Sequence, residues 1–502
     1  MKRRTFCAST LALASTSGLS LKRVLAAASI PAGIPVIRSD GKQATLTASD
    51  VTDLKGGIRG ELLLAGQSGY DQARKIWNGA FDRRPALIVR CVGAADVSQA
   101  VAFARAHNLL VAVRGGGHSL SGQSVCDGGL VVDLSAMKSV HIDPIAHLAR
   151  VEPGVLLGEF DREAQFFGLV TPAGTVSHTG AAGLTLGGGY GRLTRRFGLA
   201  CDNLLGADVI TADGRYVRAS EQENPDLLWG LRGGGGNFGV VTAFEYRLHP
   251  VASMMYGGHL MFSPEDTPDA LRFFAGFAAD TPDELYLDAA LVRVPNLGRV
   301  MVCDVCYSGA VQQGERVLEP LRRFRKPIQD ALAPTTYVTL QASGDVASAA
   351  GRGYYERSGF LHSLEPGLID ASLAIMDEPQ AAGDIVFWQH GGAVSRVKQD
   401  ATAIWHRDAA RSLLVDADWD DPHDEHARDV GMQWARETWH KLEPFTDGFY
   451  VNTMAGDDPH QRVRSTYGGN YPRLVKLKDR YDPTNLFRLN ANVPPSSTSG
   501  RS

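Results

Sequence analysis

Short apolar runs alternate with amphipathic ones through the first half of the chain. Ala86 to Cys91 is an apolar run of strand length. Asp96 to His107 repeats apolar residues at Val97, Ala100, Val101 and Ala104, which is the spacing of one helix face. Leu109 to Val113 predicts a second strand, and it runs directly into Arg114-Gly115-Gly116-Gly117-His118-Ser119. Leu130 to Leu134 predicts a third. Val155 to Phe167 suits a helix stopped by Gly168. Ala207 to Thr211 and Tyr216 to Ala219 flank Asp213-Gly214, a hairpin signal. Val240 to Leu248 alternates and predicts a strand. From about residue 253 to 435, helical stretches (Asp266 to Ala279, Val311 to Leu321) mix with strands (Leu285 to Val294, Arg299 to Tyr307), which marks a second unit. The acidic run Asp416 to Asp421 is expected in a solvated loop, with a helix from His423 to Leu442. The tail from Phe449 to Pro495 is polar, is punctuated by Tyr, Asn and Pro, and is expected to pack back on the first unit. No internal repeat is visible.

Composition narrows the function classes. Hydrophobic residues make up 44% and charged residues 21%, a globular balance. With 51 Lys plus Arg against 55 Asp plus Glu, the net charge is −4, without the basic excess of a dedicated nucleic-acid binder. At 502 residues the chain is long enough for more than one core. Met1-Lys2-Arg3-Arg4-Thr5-Phe6 precedes an uncharged stretch to Leu19 and small residues at Ala26-Ala27-Ala28, the layout of a secretory signal over residues 1–35. The Arg3-Arg4 pair suggests the twin-arginine variety, giving export to a bacterial periplasm, with a cytoplasmic location as the alternative. No other stretch has the length of apolar sequence that a membrane span needs.

The six cysteines form no disulfide framework once Cys7 leaves with the signal. Cys303-Asp-Val-Cys306 lies in an alternating apolar run, so its two thiols are expected on opposite faces of a strand. His423 and His426 have no third ligand and read as an exposed helix start, so no metal is expected.

Glycine is the outlier, at 55 residues. It clusters in Arg114–Gly122, Gly174–Gly191 and Arg232–Gly239. Such turns bring main-chain amides close to a ligand and make concavities suited to pyrophosphate, to which Arg114 could add a charge. None ends in the Lys-Ser or Lys-Thr of a P-loop, and none is a clean G-x-G-x-x-G followed by an acidic residue about 20 positions on. A dinucleotide site of another design is indicated. His118, inside the first turn, is better placed to meet a cofactor than to fill a core.

Val113 to Ser119 resembles the covalent-flavin loop of the berberine bridge enzyme-like oxidases, within the vanillyl-alcohol oxidase/p-cresol methylhydroxylase (PCMH) flavoprotein superfamily. The similarity continues through Leu186-Gly187-Gly188-Gly189-Tyr190-Gly191, Leu231 to Val241, Tyr450-Val451-Asn452 and Tyr481 to Phe487. It implies an α+β fold: a two-lobed PCMH-type FAD-binding domain (40–252), a substrate domain with an antiparallel sheet and helices (253–435), and a C-terminal segment (436–502) packing back on the first. It implies FAD bonded through its 8α carbon to His118. Val176 stands where many members carry a second, cysteinyl attachment, so a single covalent bond is expected. The implied cofactor contacts are Arg114, Gly115, Gly116, Gly117, His118, Ser119, Gly174, Thr175, Thr179, Gly180, Gly183, Gly188, Tyr190, Gly191, Val241, Tyr450, Asn452, Asn490 and Asn492.

The implied reaction is oxidation of an alcohol, sugar or amine carbon, with a base taking a proton and a hydride passing to flavin N5, and O2 or another acceptor closing the cycle. Tyr450 is one candidate base, although Thr453 stands where members with a tyrosine base carry a tyrosine; its other reading is a ring that packs on the flavin. His390, before Gly391-Gly392, is read either as a base or as a histidine satisfied within its strand, with Trp388 and Gln389 lining the same strand. Tyr190 is a hydroxyl donor or a structural residue, and Asn490 and Asn492 are flavin contacts or turn residues. Two other classes stay open: a nicotinamide-fed flavin reductase of the same fold and a non-catalytic flavin- or ligand-binding protein.

Overall fold

The computed structural model describes residues 30–497, so the proposed signal lies almost wholly outside the described residues. In the first lobe, strands Leu87–Arg90, Val111–Arg114 and Leu130–Asp133 pair in parallel, with Leu130 opposite both Leu87 and Val111. Helix Ala94–Ala106 makes the crossover, burying Val97, Ala100, Val101 and Ala104, the four positions that its periodicity picked out. The carboxyl end of Val111–Arg114 delivers the chain into the first glycine turn.

A five-stranded antiparallel sheet follows, ordered Tyr216–Ser220, Leu204–Ile210, Val240–Arg247, Leu148–Val151, Val140–Asp143. Its hairpin turns at Asp213-Gly214 with Ile210 opposite Tyr216. Helix Leu157–Phe166 packs Phe160 and Ala164 into the core of this sheet. The tail contributes to the same core through Phe449, Met454, Leu474, Leu477 and Val493. It is pinned by a fully buried ion pair: Lys478 Nζ donates to Asp482 (2.7 Å) and to the carbonyls of Asn237 and Phe487 (both 2.9 Å).

The second lobe is an eight-stranded antiparallel sheet, whose far end runs Leu285–Val294, Asp384–Gln389, Arg411–Trp419, Gly353–Leu361. Helices Thr267–Phe277, Pro366–Asp377 and Glu425–Leu442 cover one face, where Phe274, Leu373, Trp434 and Trp439 join Leu413, Val415, Ala417 and Trp419 in one core. Cys303 belongs to that core and Cys306 to a separate cluster, as thiols on opposite strand faces must. Asp424 caps helix Glu425–Leu442 by accepting from the Ala427 amide at 2.9 Å.

One expectation is corrected. The acidic run does not begin in a loop, because Asp416 and Asp418 lie within strand Arg411–Trp419, which is paired on both sides. Leu413, Val415, Ala417 and Trp419 alternate onto the helix-covered face, and this drives Asp416 and Asp418 onto the other. Among the described residues, no helix is long and apolar enough to cross a membrane.

Candidate functional site

The two lobes enclose a cavity of about 560 Å3, within the usual range for a cofactor or ligand site. Its first-lobe wall is mostly main chain. The first and second glycine segments touch backbone to backbone: a Cβ on Gly116 would sit 2.4 Å from the Gly180 Cα, so neither position has room for a side chain. Gly117 turns with φ 71°, which swings His118 onto the wall. The Gly235 amide donates to the Leu186 carbonyl at 2.9 Å and ties the third segment to the second.

Fifteen of the residues implied as cofactor contacts line the cavity: Gly115, Gly116, Gly117, His118, Ser119, Gly174, Thr175, Thr179, Gly180, Gly183, Tyr190, Val241, Tyr450, Asn452 and Asn490. Four do not. Arg114 donates to the Ala73 carbonyl and lies against Gly117, away from the wall. Gly188 is engaged in turn hydrogen bonds with Thr185 and Cys201. Gly191 packs on the Ala173 carbonyl, and Asn492 lies off the wall.

The His118 ring stacks on Trp77 (centroids 4.1 Å apart), and Trp77 stacks in turn on Tyr354 of the second lobe (3.9 Å). Trp77 Nε1 donates to the Ser348 carbonyl at 2.7 Å. Burial, and then the nearby His178, hold the His118 pKa down to about 3, so its imidazole is neutral at physiological pH. Its Nε2 is buried without a partner.

Tyr450 Oη accepts from the Gly189 amide (3.0 Å) and from Asn452 Nδ2 (2.7 Å), while Asn452 also donates to the Leu184 carbonyl. The phenol therefore braces the Gly187–Tyr190 turn. Burial outweighs these bonds and raises its pKa to about 12, so it stays protonated at neutral pH. Of the two readings of His390, a base facing the flavin or a histidine satisfied within its strand, the geometry favours the second. The His390 ring lies behind Tyr190, stacked on it at 4.1 Å, and its Nε2 meets Ser412 Oγ at 3.2 Å. It is buried and not part of the cavity wall, and burial holds its pKa at about 3. Gln389 is also turned away, donating to the Ala278 carbonyl, whereas Trp388 lines the cavity.

Sequence reasoning missed Trp77, Tyr354 and three carboxyls on the second-lobe wall: Glu356, Asp384 and Asp416. These sit on three adjacent strands, with Asp416 directly opposite both Glu356 and Asp384. The signal for Asp416 was present in the alternation of Leu413, Val415, Ala417 and Trp419. Nothing local announced that Glu356 and Asp384 would be its neighbours.

The donor set fits a flavin dinucleotide. Glycine amides suit its pyrophosphate, and buried polar atoms without partners (His118 Nε2, Asn490 Oδ1) await a ligand. Two family models match the chain: an FAD-binding domain over residues 85–220 and "berberine and berberine like" over residues 449–494. An FAD-linked oxidoreductase of Dictyostelium discoideum is 33% identical over 448 residues, covering 87% of this chain and 95% of that one. The (R)-6-hydroxynicotine oxidase of Paenarthrobacter nicotinovorans is 32% identical, covering 88% and 98%. The crystal structure of 6-hydroxy-D-nicotine oxidase from Arthrobacter nicotinovorans superposes with a TM-score of 0.80 at 30% identity, covering 87% and 98%. The chain therefore belongs to the berberine bridge enzyme-like family of PCMH-type FAD-dependent oxidoreductases.

Proposed function

We propose that this protein is an oxidase whose FAD is bonded through its 8α carbon to His118. It acts on an alcohol, sugar or amine carbon of a small molecule, with O2 as acceptor, after export by the twin-arginine route. The observation that carries the attachment is the His118 imidazole: neutral, with an Nε2 removed from solvent and without a partner, and held on the cavity wall by its stack on Trp77. A neutral imidazole nitrogen has the lone pair that alkylation requires, whereas an imidazolium has none. Val176 occupies the place of a second attachment and its side chain offers no nucleophile.

The chemistry FAD supplies when bound is acceptance of a hydride from a substrate carbon at N5. The amides of Gly115 to Ser119, with Thr179 and Gly180, would hold the pyrophosphate, and Gly174, Thr175, Tyr190 and Tyr450 would flank the ring. Tyr450 fixes the Gly189 turn and His390 supports Tyr190 from behind, so both serve as positioning residues. The names of the relatives, including the 6-hydroxynicotine oxidase, support the oxidase reading.

The test is to precipitate purified protein with acid. Yellow colour retained in the pellet of the wild type and lost from that of His118→Ala supports the attachment. Colour released from the wild type refutes it and favours the reductase alternative; a colourless protein favours a binding protein. Anaerobic bleaching against alcohols, sugars and amines, followed by admission of air, then reads substrate class and acceptor. Fusion of residues 1–35 to a folded reporter tests export: retention in the cytoplasm, or export unaffected by Arg3→Lys with Arg4→Lys, contradicts the route.

A further inference from the structure

The second-lobe wall is chemically unlike the first. Glu356, Asp416 and Asp384 form a row across three paired strands, all on the face opposite the helices, and all three line the cavity. Glu356 and Asp416 stand directly opposite each other on paired strands, and after burial the Asp416 carboxyl is the next cause that pushes the Glu356 pKa up. Glu356 Oε1 and Asp416 Oδ1 are removed from solvent with no hydrogen-bond partner. A buried carboxylate ordinarily has a cation beside it. Here the charged groups that act on the row are other carboxylates: Asp458 on Glu356, and Asp418 on Asp416 and Asp384. The nearby arginines are engaged elsewhere, Arg352 with Asp418 and Asp420, and Arg357 and Arg462 with Asp458. Trp388 lines the same cavity with an indole, a ring that can also attract cations, whereas the Tyr354 ring is already stacked on Trp77 with Arg352 over it.

A metal ion does not answer this vacancy of charge, because no group of three His, Cys, Asp or Glu among the described residues is arranged to hold one. A strand row presents its carboxyls side by side, whereas a metal needs ligands converging on a point.

We infer that the Glu356–Asp416–Asp384 row is the recognition site for a protonated amine, so that the substrate is an organic ammonium compound with an apolar or aromatic body. This rests on the proposed oxidase reading and deepens it. The ammonium group supplies the missing positive charge and the N–H donors for the unpartnered oxygens, while the body lies against Trp388. The row keeps protons because burial and repulsion from neighbouring carboxylates raise its pKa values, to about 8 for Asp416 and about 7 for Asp384. A bound ammonium reverses that balance and expels a proton from the row.

The test uses three probes on the purified holoenzyme at pH 7: benzylammonium, its neutral isostere benzyl alcohol, and cellobiose as a neutral polyol. Titration calorimetry is run in phosphate and in MOPS, a net-neutral or anionic sulfonate buffer, whose different ionisation heats reveal proton release. Benzylammonium should bind at least about tenfold more tightly than benzyl alcohol, a preference of about 1.4 kcal/mol, and should release protons. Asp416→Asn and Glu356→Gln should each erase the preference and the proton release while leaving benzyl alcohol unchanged; Asp384→Asn, at the end of the row, is the gentler variant should either fail to fold. Equal affinity for the two isosteres, tighter binding of cellobiose, no binding of benzylammonium, or a preference untouched by these variants overturns the inference. Acid-stable flavin is read on the same samples, so failure of the attachment and failure of amine recognition are distinguished.

Discussion

The two walls of the cavity are built by opposite means. The first-lobe wall is backbone: glycine turns pressed together until Gly116 and Gly180 leave no space for a Cβ, plus one imidazole. The second-lobe wall is side chain: carboxyls and aromatics alternating off strands whose other face is a packed apolar core. A wall of main chain fixes shape and suits a ligand shared by a whole family. A wall of side chains can change residue by residue without disturbing the sheet, which makes it the natural seat of substrate choice. The contrast predicts that changes in the first lobe damage folding and flavin loading, while changes to the acidic row alter charge behaviour and leave the fold intact.

The largest effect is expected at the buried support of the first wall. Lys478→Met leaves Asp482 buried without its cation and frees the Asn237 and Phe487 carbonyls. It should cost about 3–5 kcal/mol in denaturant unfolding. Gly116→Ala drives a methyl group into Gly180. It should cost about 1–3 kcal/mol and lower the flavin-to-protein absorbance ratio. Full loading of that variant would show that the two turns need not touch.

The acidic row should behave differently. Asp416 and Asp384 hold protons in the folded state at pH values where the unfolded chain has lost them. They therefore contribute stability that is full below about pH 4 and fades as pH rises through 7 and 8. Asp416→Asn should raise the thermal midpoint by about 2 °C at pH 8.5 and leave it unchanged at pH 4. His390 acts in the opposite sense. Its pKa is depressed to about 3, so the stability that its neutral imidazole contributes is lost as pH falls from about 6.5 towards 3. A scan of thermal midpoint against pH should thus show Asp416→Asn flattening only the alkaline limb. The smallest effect belongs to Ser412→Ala, which removes the hydroxyl from His390. It should cost about 1 kcal/mol or less at pH 7 and leave flavin loading unchanged.

The same contrast explains what the sequence disclosed. The glycine wall is local, since each turn is a continuous segment. His118 and most of the implied contacts could therefore be named from their neighbours in the chain. The helix Ala94–Ala106 and the strands around it were legible because their apolar periodicity is the packing itself. The acidic wall is non-local. Glu356, Asp384 and Asp416 come from strands separated by long connections and meet only through register. Asp416 also sat in a run of four acidic residues in six positions, where density of charge hid the strand alternation. His390 was legible as a strand histidine before a glycine pair, but its depth behind Tyr190 depends on packing between the lobes.

The attachment at His118 bears the most weight and has a direct test. Protein denatured in acid, digested and analysed by mass spectrometry should yield the peptide containing His118 heavier by one flavin, and the same peptide from His118→Ala should be unmodified. An unmodified His118 peptide from the wild type, with all of the flavin free in the supernatant, would contradict the account.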